Sequence, residues 1–266
     1  MTDMSFSAVL QAMSQEGAVY SAPVPPNWTQ GRTAYGGFTS TLLLAAARRA
    51  YPDLPPLRSV LVNFTGPLGA PPDIRVELLR QGRNITTLLV RAETDGKPVA
   101  VGTFSFGVAQ DSHVSQALAA PSDEGPEAFE PFFPPQMTRV PARFFENFEV
   151  KLIDGHRPFT GADRGYVRVW ARHRDPGMWA SPEGLLSIAD MLPPAVFAKC
   201  SKIGPNSSVN WICNVLSEDM QTENGWWMIE SDLSAGHDGY SSQVMRMWNS
   251  KGELVVDGMQ SVVIFV

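Results

Sequence analysis

The same order of segments occurs twice in this chain, which narrows the folds open to it. A helical segment, at residues 36–52 and again at 181–202, is followed each time by four strand-like runs. These runs are "LRSVLVNFTG", "DIRVELLRQ", "NITTLLVRAET" and "KPVAVGTFSFGV", then "SSVNWICNVLS", "GWWMIESDLSA", "GYSSQVMRMWN" and "GELVVDGMQSVVIFV". Since a lone unit leaves sheet edges exposed, we expect an α+β fold with two antiparallel sheets, each wrapped around a central helix and paired side by side.

The last two strand-like runs of each half align without a gap. Their constant offset of 156 residues matches Gly96 with Gly252 and places Gln260 over Phe104. Laying "VLVNF" on "WICNV" similarly matches Leu57 with Ser208. Polar residues therefore stand in one copy where the other has apolar ones, which favours chemistry retained at one of two equivalent sites.

Both helical segments carry signals for their ends. In the first, Thr39 and Ser40 are candidate capping residues, and Pro52 stops the helix. In the second, Ser181 is the expected N-cap and Pro182 the first helical residue. The first segment is apolar on every side, which predicts a buried helix.

Residues 109–142 are rich in Pro, Ala, Ser and acids and have no sustained period, which is typical of a linker. Phe129, Phe132 and Phe133 are expected to pin this linker to a surface. The chain then divides into an N-terminal unit at 1–108, the linker at 109–142 and a C-terminal unit at 143–266.

Composition argues against several classes of protein. A net charge of -6, with no basic cluster beyond Arg48-Arg49, disfavours binding to nucleic acid or to an anionic membrane. No apolar run approaches the roughly 20 residues that span a bilayer, and the N-terminal residues lack a basic region, so a cytoplasmic location is expected. Cys200 and Cys213 are expected to be small buried residues, and the scattered histidines predict no metal site. The sequence contains no nucleotide-binding motif, so no cofactor is expected.

Several segments together resemble the acyl-CoA thioesterase II family, whose members have a double hotdog fold. They are the Gly36-Gly37 pair, "VELLRQGRN", "DGKPVAVGTFSF", "ADMLPPA", "SSVNWICNVL" and "LVVDGMQSVV". With the linker they cover nearly the whole chain. The segment "SEDM" after "WICNVL" departs from the family's usual aromatic and basic residues and bears on acyl or CoA specificity.

The resemblance implies hydrolysis of acyl-CoA thioesters by a held water. It assigns the water-binding roles to Asp190, Ser208 and Gln260, with Ser207 as a register alternative to Ser208. It also implies an acyl-CoA substrate and a homodimer or higher homo-oligomer. A non-catalytic acyl-CoA binder of the same fold is the alternative, whereas enoyl-CoA hydration is disfavoured because the Asp, His and Asn-Pro pattern of those enzymes is missing.

The residue types suit this chemistry. Asp190 lies among apolar neighbours just before two prolines, so desolvation is expected to raise its pKa toward that of a useful base. The hydroxyl of Ser208 and the carboxamide of Gln260 can each donate and accept a hydrogen bond from a water. Gly36 and Gly37 would let the thioester approach the N-terminus of a helix closely, where unpaired N–H groups favour a developing negative charge. We expect Gln260 to face inward, toward Asp190 and Ser208.

Overall fold

The computed structural model describes residues 2–116, 118–137 and 140–265. Its α-helices are α1 (Phe6–Gln11), α2 (Gly36–Ala50) and α3 (Pro182–Ala189). Its strands are β1 (Ser14–Glu16), β2 (Val19–Ser21), β3 (Thr29–Gln30), β4 (Thr33–Ala34), β5 (Leu57–Phe64), β6 (Asp73–Gln81), β7 (Ile85–Thr94), β8 (Lys97–Gly107), β9 (Phe148–Gly155), β10 (Tyr166–His173), β11 (Asn206–Val215), β12 (Trp227–His237), β13 (Tyr240–Trp248) and β14 (Leu254–Ile264). The eight predicted strand-like runs all form strands, and β9 and β10 extend the second half.

The two halves share one 12-stranded antiparallel sheet, in the order β1-β2-β6-β7-β8-β5-β11-β14-β13-β12-β10-β9. The halves meet where β5 pairs with β11, with Val62 opposite Trp211 and Val60 opposite Cys213. The side-by-side pairing predicted from the sequence is thus a continuous hydrogen-bonded seam. Pairing of these two strands satisfies backbone groups that would otherwise be exposed at a sheet edge.

The two longer helices lie against this sheet and against each other. Helix α2 contacts β6, β7 and β8, whereas α3 contacts β10, β13 and α2. The Tyr35 hydroxyl lies 2.7 Å from the Ser187 hydroxyl, and Arg48 forms a 2.7 Å ion pair with Glu183. The main hydrophobic core is shared, since it includes Leu43 of α2 and Leu186 of α3.

The predicted start is confirmed for α3 but not its length, because α3 ends at Ala189, before Pro193 and Pro194, and not at residue 202. The capping signals predicted for α2 are not confirmed. The Ser181 hydroxyl accepts a hydrogen bond from the Gly184 N–H at 3.0 Å, and Pro182 opens the helix. The capping prediction for Thr39 and Ser40 is wrong, because both lie inside α2, which begins at Gly36 after a Tyr35 N-cap without a side-chain cap. The free first-turn N–H groups of α2 therefore need acceptors from elsewhere.

The register of the sheet corrects the gapless alignment of the repeat. Phe104 pairs with Leu88 in the first half, and Gln260 pairs with Gln243 in the second. Equivalent residues of β8 and β14 are 156 positions apart, whereas equivalent residues of β7 and β13 are 155 positions apart. Between the equivalent pairs Glu93–Pro98 and Trp248–Leu254, the second hairpin has five residues (249–253) and the first has four (94–97), and this one-residue insertion shifts the first strand of the hairpin.

The match of Leu57 with Ser208 agrees with the register. Leu57 pairs with Phe106 on β8, and Ser208 pairs with Val262 on β14, which keeps the offset of 156 residues. A register shift follows each of the two residues, one in β5 and one in β11. The bulge is therefore a feature of both copies.

The segment between β8 and β9 is attached to the second half. The Trp248 indole N–H donates to the Leu118 carbonyl at 3.0 Å, and the Trp170 indole N–H donates to the Glu124 carbonyl at 3.0 Å. Phe132 is fully buried in the main core, Phe133 packs against that core, and Phe129 packs on a tryptophan cluster. The predicted pinning of the linker is confirmed for these three residues. The boundaries at 108 and 142 stay a prediction, and residues 1, 117, 138, 139 and 266 lie outside the described residues.

No helix in the described ranges is both long and apolar enough to cross a membrane. Cys200 and Cys213 are buried and unpaired, as predicted.

We expect Trp248→Phe to lower the free energy of unfolding by about 1 kcal/mol, because the Leu118 carbonyl loses its donor. The linker should also become easier to cleave in limited proteolysis. Trp179→Phe is the matched control, since it removes an indole hydrogen bond to the His173 carbonyl at 2.8 Å, away from the linker. Equal cleavage of the two variants would contradict the docked linker.

Candidate active site

Asp190 joins the two halves of the molecule at the N-terminus of α2. It directly follows α3, as its C-cap residue, and only 8% of it is exposed. Its carboxylate accepts a hydrogen bond from the Gly37 N–H. A side-chain carbon on Gly36 would overlap Asp190 Oδ2 and touch the Phe64 ring, so the carboxylate occupies space that only glycine leaves free.

Gln260 approaches the same carboxylate from β14. Its Nε2 donates to Asp190 Oδ1 at 2.7 Å, and the residue is 3% exposed. The carboxamide of this apolar strand therefore points inward, to a buried charge that can satisfy it. Asp190 Oδ1 is occupied by this bond, whereas Oδ2 faces Gly36.

Burial has the largest effect on the pKa of Asp190. Desolvation raises its pKa from 3.8 to about 7, although the hydrogen bonds from Gln260 and from the Gly37 N–H act in the opposite direction. A carboxylate with a pKa near neutrality is strong enough as a base and still largely ionised above that pH. The first-turn N–H groups and the dipole of α2 add a favourable field for its negative form.

Gly36 and Gly37 are placed as predicted, at a helix N-terminus, but with an unexpected partner. The Gly37 N–H is directed at the Asp190 carboxylate. A Cβ on Gly37 would overlap the Ser187 carbonyl and the Tyr35 ring, so Gly37 also permits the close contact of α2 with α3. Both glycines thus build the environment of Asp190.

In the part of the chain that the structure describes, Ser208 lies on the same face of the sheet as Gln260 but is not hydrogen-bonded to Gln260 or Asp190. It is half-buried and pairs with Val262, two residues beyond Gln260 on β14, so the two side chains share the inner face of the sheet. Within the described residues its hydroxyl makes no hydrogen bond to Asp190 or Gln260. Ser207, the register alternative, is exposed on the opposite face.

Sequence reasoning missed Gln243. It is fully buried on β13, and its Nε2 donates to Gln260 Oε1 at 2.9 Å while its Oε1 accepts from the Ala195 N–H at 2.6 Å. The gapless alignment had placed Gln243 over Thr87, a polar residue, whereas the structure matches it with Leu88. A one-residue gap in the alignment would have revealed a second polar replacement.

No cluster of His, Cys, Asp and Glu in the described ranges could hold a metal ion. His173 is buried with its Nε2 3.1 Å from the Gly184 carbonyl, and burial lowers its pKa to about 4. It is the last residue of β10 and packs against α3 as a neutral residue.

We expect Asp190→Asn to stabilise the fold progressively as pH rises from about 4 to about 7. The raised pKa means that ionisation of Asp190 costs folding free energy over this range, up to about 4 kcal/mol for a change from 3.8 to about 7. The gain should be smaller, because the new amide group meets the Gly37 N–H donor. Urea unfolding of both proteins at several pH values measures the difference.

Asp53→Asn, which changes an exposed carboxylate, serves as the control and should show no such trend. If the stability difference between Asp190→Asn and wild type does not depend on pH, the buried carboxylate is not titrating as the structure indicates.

Two family models match this chain. One, described as the acyl-CoA thioesterase C-terminal domain, matches residues 116–264. The other, the acyl-CoA thioesterase N-terminal domain, matches residues 24–107. No curated protein matches the chain in sequence.

Solved structures resemble the whole chain. A hot dog fold protein of unknown function from Alicyclobacillus acidocaldarius has a TM-score of 0.89 at 21% identity, with 99% of each chain covered. A proposed thioesterase II from Thermobifida fusca has a TM-score of 0.80 at 18% identity, with 100% of each chain covered. The acyl-CoA thioesterase II TesB2 of Mycobacterium marinum has a TM-score of 0.73 at 20% identity, with 96% of each chain covered. At these identities the structures establish the hotdog fold.

Proposed function

The chain belongs to the acyl-CoA thioesterase family, and we propose that it hydrolyses acyl-CoA thioesters to the free acid and CoA with a water that Asp190, Ser208 and Gln260 hold and activate. The observation that carries this proposal is the 2.7 Å hydrogen bond from Gln260 to the buried Asp190 carboxylate. It supports the proposal because it leaves a buried base whose Oδ2 is free of Gln260 and lies against Gly36.

In the proposed step, Asp190 Oδ2 takes a proton from water as the water oxygen attacks the thioester carbonyl. The C–S bond then breaks and CoA leaves as the thiol, after the proton passes to its sulfur. General-base assistance of this kind contributes roughly 10²–10⁴-fold. Ser208, on the inner face beside Val262, would bind the attacking water from the side of β11.

The developing oxyanion requires donors. The first turn of α2 supplies N–H groups without acceptors in the helix, and the Gly37 N–H already serves Asp190. We place the carbonyl oxygen at the remaining N–H groups of this turn, beside the Asp190 carboxylate that lies against Gly36. This site would bind an acyl-CoA without any cofactor.

We expect Asp190→Asn to lower kcat/KM roughly 10²–10⁴-fold, because the water loses its base. In the wild-type enzyme, kcat/KM should rise about tenfold per pH unit below about pH 7 and level off above it, since the carboxylate form is required. CoA release from acyl-CoAs of several chain lengths, followed with a disulfide reagent, measures both.

Ser208→Ala should reduce kcat, whereas Ser207→Ala, the matched change on the outer face, should not. Wild-type protein that binds acyl-CoA in calorimetry but releases no CoA would favour the alternative, a non-catalytic acyl-CoA binder. Full activity in Asp190→Asn would contradict the assignment of the base.

We also propose that two copies of this chain pair through the outer face of the sheet. Leu61, Ile212 and Met259 are each more than a third exposed and occupy one row across β5, β11 and β14. An apolar row at the centre of a wide sheet is a natural contact for a second copy. A cytoplasmic location stays a prediction.

We expect Ile212→Lys to convert a homodimer or higher homo-oligomer to monomers, because it places a charge in the middle of this row. Light scattering after size-exclusion chromatography gives the mass. Val114→Lys, on an exposed part of the linker, is the control and should leave the mass unchanged. A monomeric wild-type protein would refute the pairing.

A further inference from the structure

The two copies of the repeat differ along one row of inward-facing residues. In each half, three neighbouring strands contribute one buried residue to this row, and the register makes the two rows equivalent. The first-half row is Val60, Phe104 and Leu88, and the second-half row is Trp211, Gln260 and Gln243. Apolar side chains fill the row in one copy, so the fold itself does not require the two carboxamides.

Two buried carboxamides are costly unless their hydrogen bonds are satisfied. Here they satisfy each other in a chain that ends on Asp190. The Ala195 N–H donates to Gln243 Oε1, Gln243 Nε2 donates to Gln260 Oε1, and Gln260 Nε2 donates to Asp190 Oδ1, at 2.6, 2.9 and 2.7 Å. We call this set the amide relay.

The starting point of the relay fixes its direction. A backbone N–H can only donate, so Gln243 must present its oxygen to Ala195 and its NH₂ group to Gln260. Gln260 must then present its oxygen to Gln243 and its NH₂ group to Asp190. Without Gln243, the Gln260 carboxamide could turn over and accept a hydrogen bond from the protonated Asp190 carboxyl, which would favour the uncharged form.

The relay also holds both ends of one short loop. Asp190 and Ala195 flank the sequence Met-Leu-Pro-Pro, and each is bonded to a member of the relay. The distance between the carboxylate and the strands is thus set at two points. The loop lies between the end of α3 and a 3-10 helix, Ala195–Ala198, and the side chains of Met191 and Leu192 anchor it in the main core.

We propose that Gln243 is a positioning residue that fixes the orientation of the Gln260 carboxamide so that Gln260 always donates to Asp190. The inference rests on the proposed function, in which Asp190 is the base. Gln243 acts through Gln260 and does not contact the substrate. Its effect is on the charge state and placement of the base, and therefore on kcat more than on KM.

The surroundings of Asp190 make its titration a clean readout. The titratable groups that face it are Tyr35 and Cys213. Burial raises the pKa of both groups above the usual range, and the negative charge of Asp190 adds a smaller increase. Neither group ionises near neutral pH. Because the Gln260 hydrogen bond lowers the pKa of Asp190, loss of its donor orientation should raise that pKa.

The test compares Gln243→Leu, which copies the first-half residue Leu88, with Gln243→Glu, whose ionised carboxylate cannot donate to Gln260. We expect both to lower kcat about tenfold or more with KM within about twofold. We also expect both to move the midpoint of the pH–rate profile upward by about one pH unit. Ser241→Ala is the matched control, because it removes a buried hydroxyl bonded to the Val262 carbonyl on the same face of β13. It should leave the midpoint unchanged.

A second readout does not depend on activity. Two midpoints should move to higher pH in Gln243→Leu. One is the midpoint of the change in unfolding stability caused by Asp190, and the other is the midpoint of the Asp190 carboxyl carbon shift in a pH titration followed by NMR. An unchanged midpoint and an unchanged titration would overturn the relay. Absence of hydrolysis in wild type would refute the proposed function alone, because the Asp190 titration still decides the role of Gln243.

Discussion

The site depends on a carboxylate that is buried between the two copies of a repeat. Asp190 belongs to the second half, yet the Gly37 N–H that donates to its carboxylate belongs to the first. The contact requires that α2 and α3 pack closely, which Gly37 permits, and that the two sheets be fused through β5 and β11. Separation of the halves would leave the carboxylate without its backbone donor and the Gly37 N–H without its acceptor.

In the row of three equivalent residues, polar side chains occur in one copy only, and this difference separates what the fold needs from what function needs. The first-half row of Val60, Phe104 and Leu88 shows what the fold prefers at these positions. Replacing two of them by carboxamides costs desolvation that only a complete set of hydrogen bonds offsets. The relay supplies that set, and its end point on Asp190 gives a physical reason for tolerating polar groups in a core that does not need them.

Local pattern predicted the elements well, because strand and helix signals are short-range. Each of the eight runs identified by alternation and turn residues is a strand, and the Ser181 N-cap is formed as expected. Thr39 and Ser40 were wrongly predicted as capping residues of α2, because the Gly37 N–H in its first turn meets Asp190, a residue far along the chain that no local signal could indicate. The one-residue shift between β7 and β13 was missed for a related reason, since a longer hairpin loop is visible only in the pairing register.

The sequence by itself determined the duplication, the order of strands and the identity of Asp190 and Gln260 as polar residues in apolar settings. These follow from periodicity and from comparison of the two halves, which are local properties. Only the tertiary structure decided that Gln260 donates to Asp190, that Gly37 serves this carboxylate, and that Gln243 completes the relay. Those contacts join residues distant in sequence, and their geometry depends on strand register and on helix packing, which no single segment encodes.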